Sequence, residues 1–529
     1  MATPPGASNE RTGLGDRGAG VGVTNVAHLL EASAQRVPSA PALMSGDRLV
    51  RSYRGLAGAV AARAETLRRR HGIGPGSRVV LHAGNCPEYL EVLFAVWWTG
   101  ATVVPLSAML HPREVVALAA DCGAALLVLG DDLAGPFDVA SGLEVVSISS
   151  LAGDGDGRMG VVERAPGDPA WVFYTSGTTG TPKGAELTHA NLLAMTLAHL
   201  SDVEFLDERS GLLHLALISH AGGLFALPYV ARGARQVLPL SRTADPDEAW
   251  QLLASQERLS FFVPPVVLRR LVANGAASAE VAGRMGTVLV GAAPVLAADL
   301  RSAVQVFGAR VWNGYGQGES PLTITAHDPR QIAAAIASSD GEALASVGYP
   351  RTATRVRVVD GEGRLLPDGE VGEVVVAGAT VMSGYLGRPD ATAATLKGGW
   401  LHTGDVGRFA QGRLTLLDRS KDLVITGGAN VYPREVEDAL IGHPSVQDVA
   451  VVGVPDDEWG ERVVAFVVPA MGVVVRADEL DQHCLDRIAR YKRPKEYRVV
   501  AELPRNGAGK VLKTQLRAAH HPASGKEWT

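Results

Sequence analysis

Eleven residues, Tyr174-Thr-Ser-Gly-Thr-Thr-Gly-Thr-Pro-Lys-Gly184, carry the densest phosphate-binding chemistry in this chain. Gly177 and Gly180 let the backbone turn tightly and bring N–H groups close to a ligand. Thr175, Ser176, Thr178, Thr179 and Thr181 add hydroxyl donors, and Lys183 adds a charge. The pattern is not a Walker A loop, because GxxxxGK[ST] cannot be aligned on it and Gly184 follows the lysine. An apolar run, Trp171-Val-Phe173, comes directly before it, which a flexible Ser/Thr/Gly linker rarely has. Gly13, Gly15 and Gly18 also spell GxGxxG, but among Pro, Ser and Arg, with no strand before them, so they are read as a chance match.

Such a loop needs rigid elements behind it. The chain has 529 residues, enough for about three or four structural units. At 46% hydrophobic and 20% charged, it can bury sizeable cores, which excludes wholesale disorder. The net charge of −6 gives no reason to expect nucleic acid as a partner. Cys86, Cys122 and Cys484 lie far apart with no CxxC pair, which argues against a zinc site and a disulfide framework. The expectation is a reducing, cytoplasmic location. The N-terminus has no apolar core of a signal peptide. Val92 to Leu106 is too short to span a bilayer and contains Gly100 and Pro105, so no membrane insertion is expected.

From Val23 onward, helical and strand patterns alternate. Helices are expected over Leu56 to Arg70 and Glu88 to Trp98, strands at Arg78 to Leu81 and Ala101 to Val104. That alternation implies an α/β fold, with helices layered on mainly parallel sheets. Around 345–418, Arg355 to Val359 and Glu373 to Val376 flank Asp360-Gly361 and Asp368-Gly369, predicting antiparallel hairpins and a small β-barrel. Beyond about 420 a small α+β unit is expected. Its strands fall at Leu423 to Ile425, Val449 to Val452 and Val463 to Val468, and its helices start near Pro433 and Asp478. Leu480, Cys484 and Ile488 recur at i, i+4, i+8, which places Cys484 in a core. The expected organisation is a mobile tail at 1–22, a core at 23–418, a hinge at 419–421 and a mobile C-terminal domain at 422–529.

Further segments follow the phosphate loop: Gly291-Ala-Ala-Pro294, Asn313-Gly-Tyr-Gly-Gln-Gly-Glu319, Trp400-Leu-His-Thr-Gly-Asp405, Asp418-Arg-Ser-Lys-Asp422, Gly427-Gly-Ala-Asn-Val-Tyr-Pro433 and Pro504-Arg-Asn-Gly-Ala-Gly-Lys510. In this order they resemble the superfamily of adenylate-forming enzymes: acyl-CoA synthetases, peptide-synthetase adenylation domains and beetle luciferases. The resemblance runs from about residue 25 to about 517 and is greatest to free-standing acid–CoA ligases.

The resemblance implies that ATP activates a carboxylic acid to an acyl-adenylate, releasing pyrophosphate, before the acyl group passes to the thiol of CoA. Two anions must meet, so the site must supply positive charge where negative charge develops. By resemblance, Thr175, Ser176, Gly177, Thr178, Thr179, Gly180 and Lys183 hold the phosphates. Ala292, Ala293, Asn313, Gly314 and Tyr315 bind adenine, and Asp405 and Arg419 the ribose. Glu319 holds Mg²⁺, a hard oxygen ligand for a hard cation, and Lys510 bridges the carboxylate and the α-phosphate. Lys421 is the implied hinge, about which the C-terminal domain swings. Gly427 and Gly428 are implied to let a pantetheine arm pass. Taken singly, Lys510 and Lys421 also read as surface lysines, Glu319 as a loop carboxylate, Asp405 as a helix or turn cap and Tyr315 as core. One departure stands out: Gly318 occupies a position where relatives commonly carry Thr.

For the acid, no carboxylate occurs from Gly211 to Ala244, the region where amino-acid-activating relatives carry an Asp. An unpaired buried ammonium is costly, so a hydrophobic acid other than an amino acid is expected. His220, Gly222, Gly291 and Gly316 are assigned to the acyl pocket, the glycines leaving room for bulk. No carrier domain or thiolation motif follows residue 517, which favours CoA as acceptor. The alternatives are an enzyme loading the phosphopantetheine of a separate carrier protein, and a nucleotide-binding protein without turnover.

Overall fold

The computed structural model describes residues 24–520 apart from 134–141, 154–156, 176–181, 277, 420–421, 427–428, 457–458 and 507–509. The N-terminal tail and its GxGxxG spelling, the hinge residue Lys421, the glycines Gly427 and Gly428, and the loop residues Ser176 to Gly180 therefore lie outside the described residues.

Strands buried on both faces read as continuous apolar runs, and such runs form the centre of a seven-stranded sheet. Its order is Gly384–Tyr385, Lys183–Thr188, Pro169–Thr175, Thr102–Ser107, Arg78–Ala83, Leu126–Leu129, Glu144–Ser147. From Pro169–Thr175 to Glu144–Ser147 the neighbours are parallel. Pro169–Thr175 turns back antiparallel on Lys183–Thr188, with Thr175 opposite Lys183. The strands that flank residues 176–181 are thus fixed in register.

The second core sheet has nine strands, ordered Tyr349–Pro350, Ser320–His327, Val311–Gln317, Val288–Val290, Leu259–Val263, Gly211–Leu213, Arg235–Leu238, Pro41–Ser45, Arg48–Ser52. Its inner strands are parallel and its ends antiparallel. The expected helix at Glu88 to Trp98 is Pro87–Trp98, opened by proline at its first turn and buried on every side from Tyr89 onward. This explains the long apolar run: the helix is wrapped by core. Trp97 donates its indole N–H to the Ala170 carbonyl (2.8 Å), and its ring lies 6.1 Å from that of Trp171. Truncating such a side chain to alanine costs about 3–5 kcal/mol. The Ala/Arg-rich helix spans Tyr53–His71, capped by Ser52 and ended by Gly72 in left-handed conformation (φ +64°).

In place of a fully laddered barrel, the hairpin region is a five-stranded antiparallel sheet. It is ordered Thr354–Val359, Gly372–Gly378, Trp400–Ala410, Leu396–Lys397, with Arg413–Arg419 also on Trp400–Ala410. Its Arg413–Arg419 side is tied back through Val347 N–H to Leu414 O (2.8 Å) and Leu414 N–H to Gly348 O (2.9 Å), so the sheet curls and closes on a connecting segment.

A fourth sheet belongs to the smaller C-terminal domain. Val424–Thr426, Ala429–Val431, Val446–Asp456 and Gly460–Pro469 pair antiparallel, and Glu496–Val499 adds in parallel. The helices Pro433–Ile441 and Ala477–Leu485 cover it. Leu480 and Cys484 are fully buried in its core and Ile488 packs against it, as the spacing predicted. All three cysteines are buried and free. Among the described residues, no helix is long and apolar enough to cross a membrane.

Candidate active site

A cavity of about 620 Å³ opens where the C-terminal domain faces the core. From the core it is lined by Ala292, Ala293, Asn313, Gly314, Tyr315, Gly316, Gln317 and Asp405, and from the C-terminal domain by Asp422, Arg505, Asn506, Lys510 and Arg517. Six of the seven expected adenine and ribose residues and the expected catalytic lysine therefore share one space with Gly316 and Gln317.

The strand Val311–Gln317 carries most of the core wall. Period-two alternation sends Asn313, Tyr315 and Gln317 to one face of it. Tyr315 donates its hydroxyl to Asp405 Oδ2 (2.5 Å), and Gln317 Nε2 donates to the same oxygen (2.5 Å) and to Thr403 O (3.0 Å). Asp405 is buried and sits inside the strand Trp400–Ala410 opposite Arg419. It is neither a helix cap nor a turn cap. Tyr315 is both things at once: packed in the main core and exposed to the cavity. Ala292 takes a left-handed backbone (φ +65°) at the cavity wall. For an alanine that costs about 1 kcal/mol or more, and such residues cluster at functional sites.

Beyond Gln317 the chain enters a second cluster. Glu319 is buried, and its Oε1 accepts hydrogen bonds from Thr175 Oγ1 (3.1 Å) and Tyr385 Oη (2.8 Å). The Tyr385 ring carries the Lys183 ammonium on its face, 5.3 Å from its centroid. Thr175, Lys183 and Glu319, distant in sequence, are thus brought together by Tyr385. Sequence reasoning missed both Tyr385 and Gln317. Gln317 lies inside the Asn313-to-Glu319 segment and was passed over, whereas Tyr385 stands outside every segment used.

On the C-terminal side, Asn506 closes the lysine loop: its Oδ1 accepts from Lys510 N–H (2.9 Å), and its own N–H donates to Lys510 O (2.8 Å). Arg505 pairs with Asp448, Arg517 with Asp422 (2.8 Å) and Lys513 with Glu437 (2.9 Å). Across to the core, Arg434 Nη2 donates to Val295 O (2.9 Å).

Three of the four residues assigned to the acyl pocket, His220, Gly222 and Gly291, lie off this cavity. His220 lies in the π-helical turn Ile218–Gly222, accepting or donating through Nδ1 to Ser219 Oγ (2.9 Å), and burial lowers its pKa to about 4, so the ring is neutral. Gly222 and Gly291 do not leave open space. A Cβ on Gly222 would lie 2.8 Å from Leu217 O, and one on Gly291 2.6 Å from Gly314 O. Both glycines serve close backbone packing, and of the four assigned residues only Gly316 lines the cavity. The buried carboxylate on this side, Glu204, already accepts from Tyr229 and from Ser260 Oγ (3.0 Å).

Known proteins match this arrangement along most of the chain. Residues 30–386 match the family described as AMP-binding enzyme, and residues 435–510 the AMP-binding enzyme C-terminal domain. Feruloyl-CoA synthase of Amycolatopsis sp is 35% identical over 489 residues, covering 92% of this chain and 96% of its own. The fatty acid–[acyl-carrier-protein] ligase ScoC of Streptomyces coeruleorubidus is 33% identical over 500 residues, covering 92% and 94%. ATP-bound MatB from Rhodopseudomonas palustris superposes with a TM-score of 0.83 at 28% identity, covering 94% of this chain and 99% of that one.

Proposed function

This chain belongs to the AMP-binding enzyme family, and we propose that it is an acid–CoA ligase acting through an acyl-adenylate. The observation that carries the reading is the single cavity in which Lys510 of the C-terminal domain faces Asn313, Tyr315 and Asp405 of the core. In the first step a carboxylate oxygen of the acid bonds to the α-phosphorus of ATP, and the bond to the bridging oxygen breaks, releasing pyrophosphate. Lys510 offsets the charge of the two anions as they meet. Asp405 accepts from the ribose hydroxyls, with Arg419 as second contact; Ala292, Ala293, Asn313, Gly314 and Tyr315 border the adenine. The hairpin tip from Thr175 to Lys183 holds the phosphates.

Mg²⁺ fits the donor set: Glu319 is one hard carboxylate held in place by two hydroxyls, and this ion commonly takes one or two carboxylates, the substrate's phosphate oxygens and water. When bound, it neutralises phosphate charge.

In the second step a thiolate bonds to the acyl carbon, AMP leaves with the electron pair, and the thiol proton passes to solvent. The hinge at 419–421 and the glycines Gly427 and Gly428 serve this step. CoA is the proposed thiol, as in feruloyl-CoA synthase by its name. The likeness to the acyl-carrier-protein ligase ScoC supports a carrier phosphopantetheine as the second reading.

Pyrophosphate release from ATP-Mg²⁺ over a panel of carboxylic acids, with and without CoA, tests this. Sustained CoA-dependent release is expected with an apolar acid. Release of about one equivalent indifferent to CoA would move the reading to the carrier protein, and no release with any acid would overturn it.

A further inference from the structure

Lys183 and Glu319 carry opposite charges and meet the same tyrosine, yet among the described residues they do not pair with each other. Opposite charges in a partly buried site normally close to contact, because their attraction grows as water is excluded. Something must hold these two apart.

Tyr385 stands between them. Its hydroxyl donates to Glu319 Oε1 (2.8 Å), and its ring carries the Lys183 ammonium 5.3 Å from the centroid. Thr175 Oγ1 donates to the same Oε1 (3.1 Å), so both donors fall on one oxygen of the carboxylate. A ring face attracts an ammonium through its quadrupole without neutralising it, as a carboxylate would.

The tyrosine is itself fixed. Gly384 and Tyr385 pair antiparallel with Glu186 and Ala185, and Leu386 N–H donates to Gly184 O (2.8 Å). Tyr385 N–H donates to Thr392 Oγ1 (2.9 Å). Three residues further on, Arg388 pairs with Asp121, which also accepts from Tyr174 Oη (2.6 Å). The short segment bearing Tyr385 is therefore tied to both strands that deliver Thr175 and Lys183.

We propose that Tyr385 is a positioning residue that keeps Lys183 and Glu319 apart and fixes the carboxylate. One then remains a cation for phosphate and the other an anion for Mg²⁺. This rests on the ligase reading above, which gives the two side chains those ligands. Without the spacer, a single ion pair would remove a phosphate cation and a metal ligand together.

The test is ATP binding by calorimetry, with and without Mg²⁺ and with no acid present. The two affinities give the factor by which the ion tightens the nucleotide. Tyr385→Phe keeps the ring and so guards against a mere folding defect. Losing a partner that orients a metal ligand typically costs about 10–100-fold in metal affinity. The Mg²⁺ factor should therefore fall about tenfold or more, with Mg²⁺-free ATP affinity unchanged. Tyr385→Leu removes the ring as well, and both quantities should fall as Lys183 turns onto Glu319. Adding Lys183→Met to Tyr385→Leu separates a spacer from simple packing. It should raise the Mg²⁺ factor by more than Lys183→Met does alone, because only in the leucine variant does the ammonium occupy the carboxylate. An unchanged factor in Tyr385→Phe, or no such excess recovery in the double variant, would overturn the proposal. No binding of ATP-Mg²⁺ by the unaltered protein would instead overturn the ligase reading on which it stands.

Discussion

On the core side of the cavity the functional side chains hold one another. Tyr315 and Gln317 both donate to Asp405, and Thr175 and Tyr385 both donate to Glu319. On the C-terminal side three cations are held by carboxylates of their own domain: Arg505 by Asp448, Arg517 by Asp422, Lys513 by Glu437. The first arrangement is preorganised for a ligand, its carboxylates already oriented before nucleotide arrives. The second is portable. Were the domain to swing as proposed, these ion pairs would travel with it, so none of the three cations would be stripped of its partner, a loss that costs several kcal/mol when the group is buried. That would let one small domain serve the two proposed half-reactions by gating.

The contrast extends to protonation, where the largest effect is expected. Burial lowers the pKa of His189, His214 and His327 in the core to about 4. Each stays neutral: His189 Nδ1 accepts from Val26 N–H (3.2 Å), and His214 Nε2 bonds to Gln236 Oε1 (2.9 Å). An unfolded histidine takes up its proton near pH 6.5. Between that value and about 4 the unfolded chain binds more protons, so stability falls as pH falls through this window. Each pH unit of the gap corresponds to about 1.4 kcal/mol per ring, reduced where the site relaxes. Thermal unfolding followed from pH 7.5 to 5.5, above the carboxylate range, should show the core transition dropping by several degrees. His214→Gln should flatten that slope, and an acid-independent core transition would break the contrast.

Next in size is Lys510→Ala. It removes the cavity-lining cation that the proposed mechanism places at the nucleotide, and pyrophosphate release should fall by roughly 10²–10³. Thioester formation from preformed acyl-adenylate should change by no more than a few-fold, because the core half is untouched. Equal loss in both steps would mean that the two halves are not separable.

Much of this was legible in the sequence because it lies in local pattern. The alternating elements, the fully apolar helix at Pro87–Trp98 and the buried face of Leu480 and Cys484 follow from periodicity. Asn313, Tyr315, Asp405 and Lys510 stood in motifs whose order was informative, and they line one cavity. Tyr385 was not legible, since its role depends on the pairing of Gly384–Tyr385 with Lys183–Thr188 across about two hundred residues, contacts that only the fold creates. The surroundings of Gly222 and Gly291 were not legible for a related reason. Glycine signals close approach, but the sequence does not say whether backbone or ligand approaches, and here it is backbone.

Tyr315→Phe sharpens the core side of the contrast. The ring that borders the cavity stays, and only the donor to the buried Asp405 is lost. Hydrogen bonds to charged groups contribute about 1.5–3 kcal/mol, so ATP affinity measured by calorimetry should fall about 10–100-fold. An unchanged affinity would mean that Gln317 alone orients the carboxylate.

The smallest expected effect lies at the contact between the halves. Arg434 donates to Val295 O across the boundary and also pairs with Asp438 (3.6 Å). Around it the carboxylates repel: burial first, then Asp448, pushes Asp299 up, while burial, Glu437 and Asp299 push Asp438 up. Arg434 thus both bridges the domains and screens like charges facing one another. Arg434→Ala removes about 0.5–1.5 kcal/mol of hydrogen bonding and leaves that repulsion, so it should favour the detached arrangement. Pyrophosphate release should fall a few-fold, up to about tenfold, while thioester formation from preformed adenylate holds or rises. Added salt should restore part of the loss, because screening acts on the exposed part of this cluster. A parallel fall in both half-reactions, insensitive to salt, would make Arg434 a structural residue of its helix and leave the portability of the C-terminal half to be carried by its internal ion pairs.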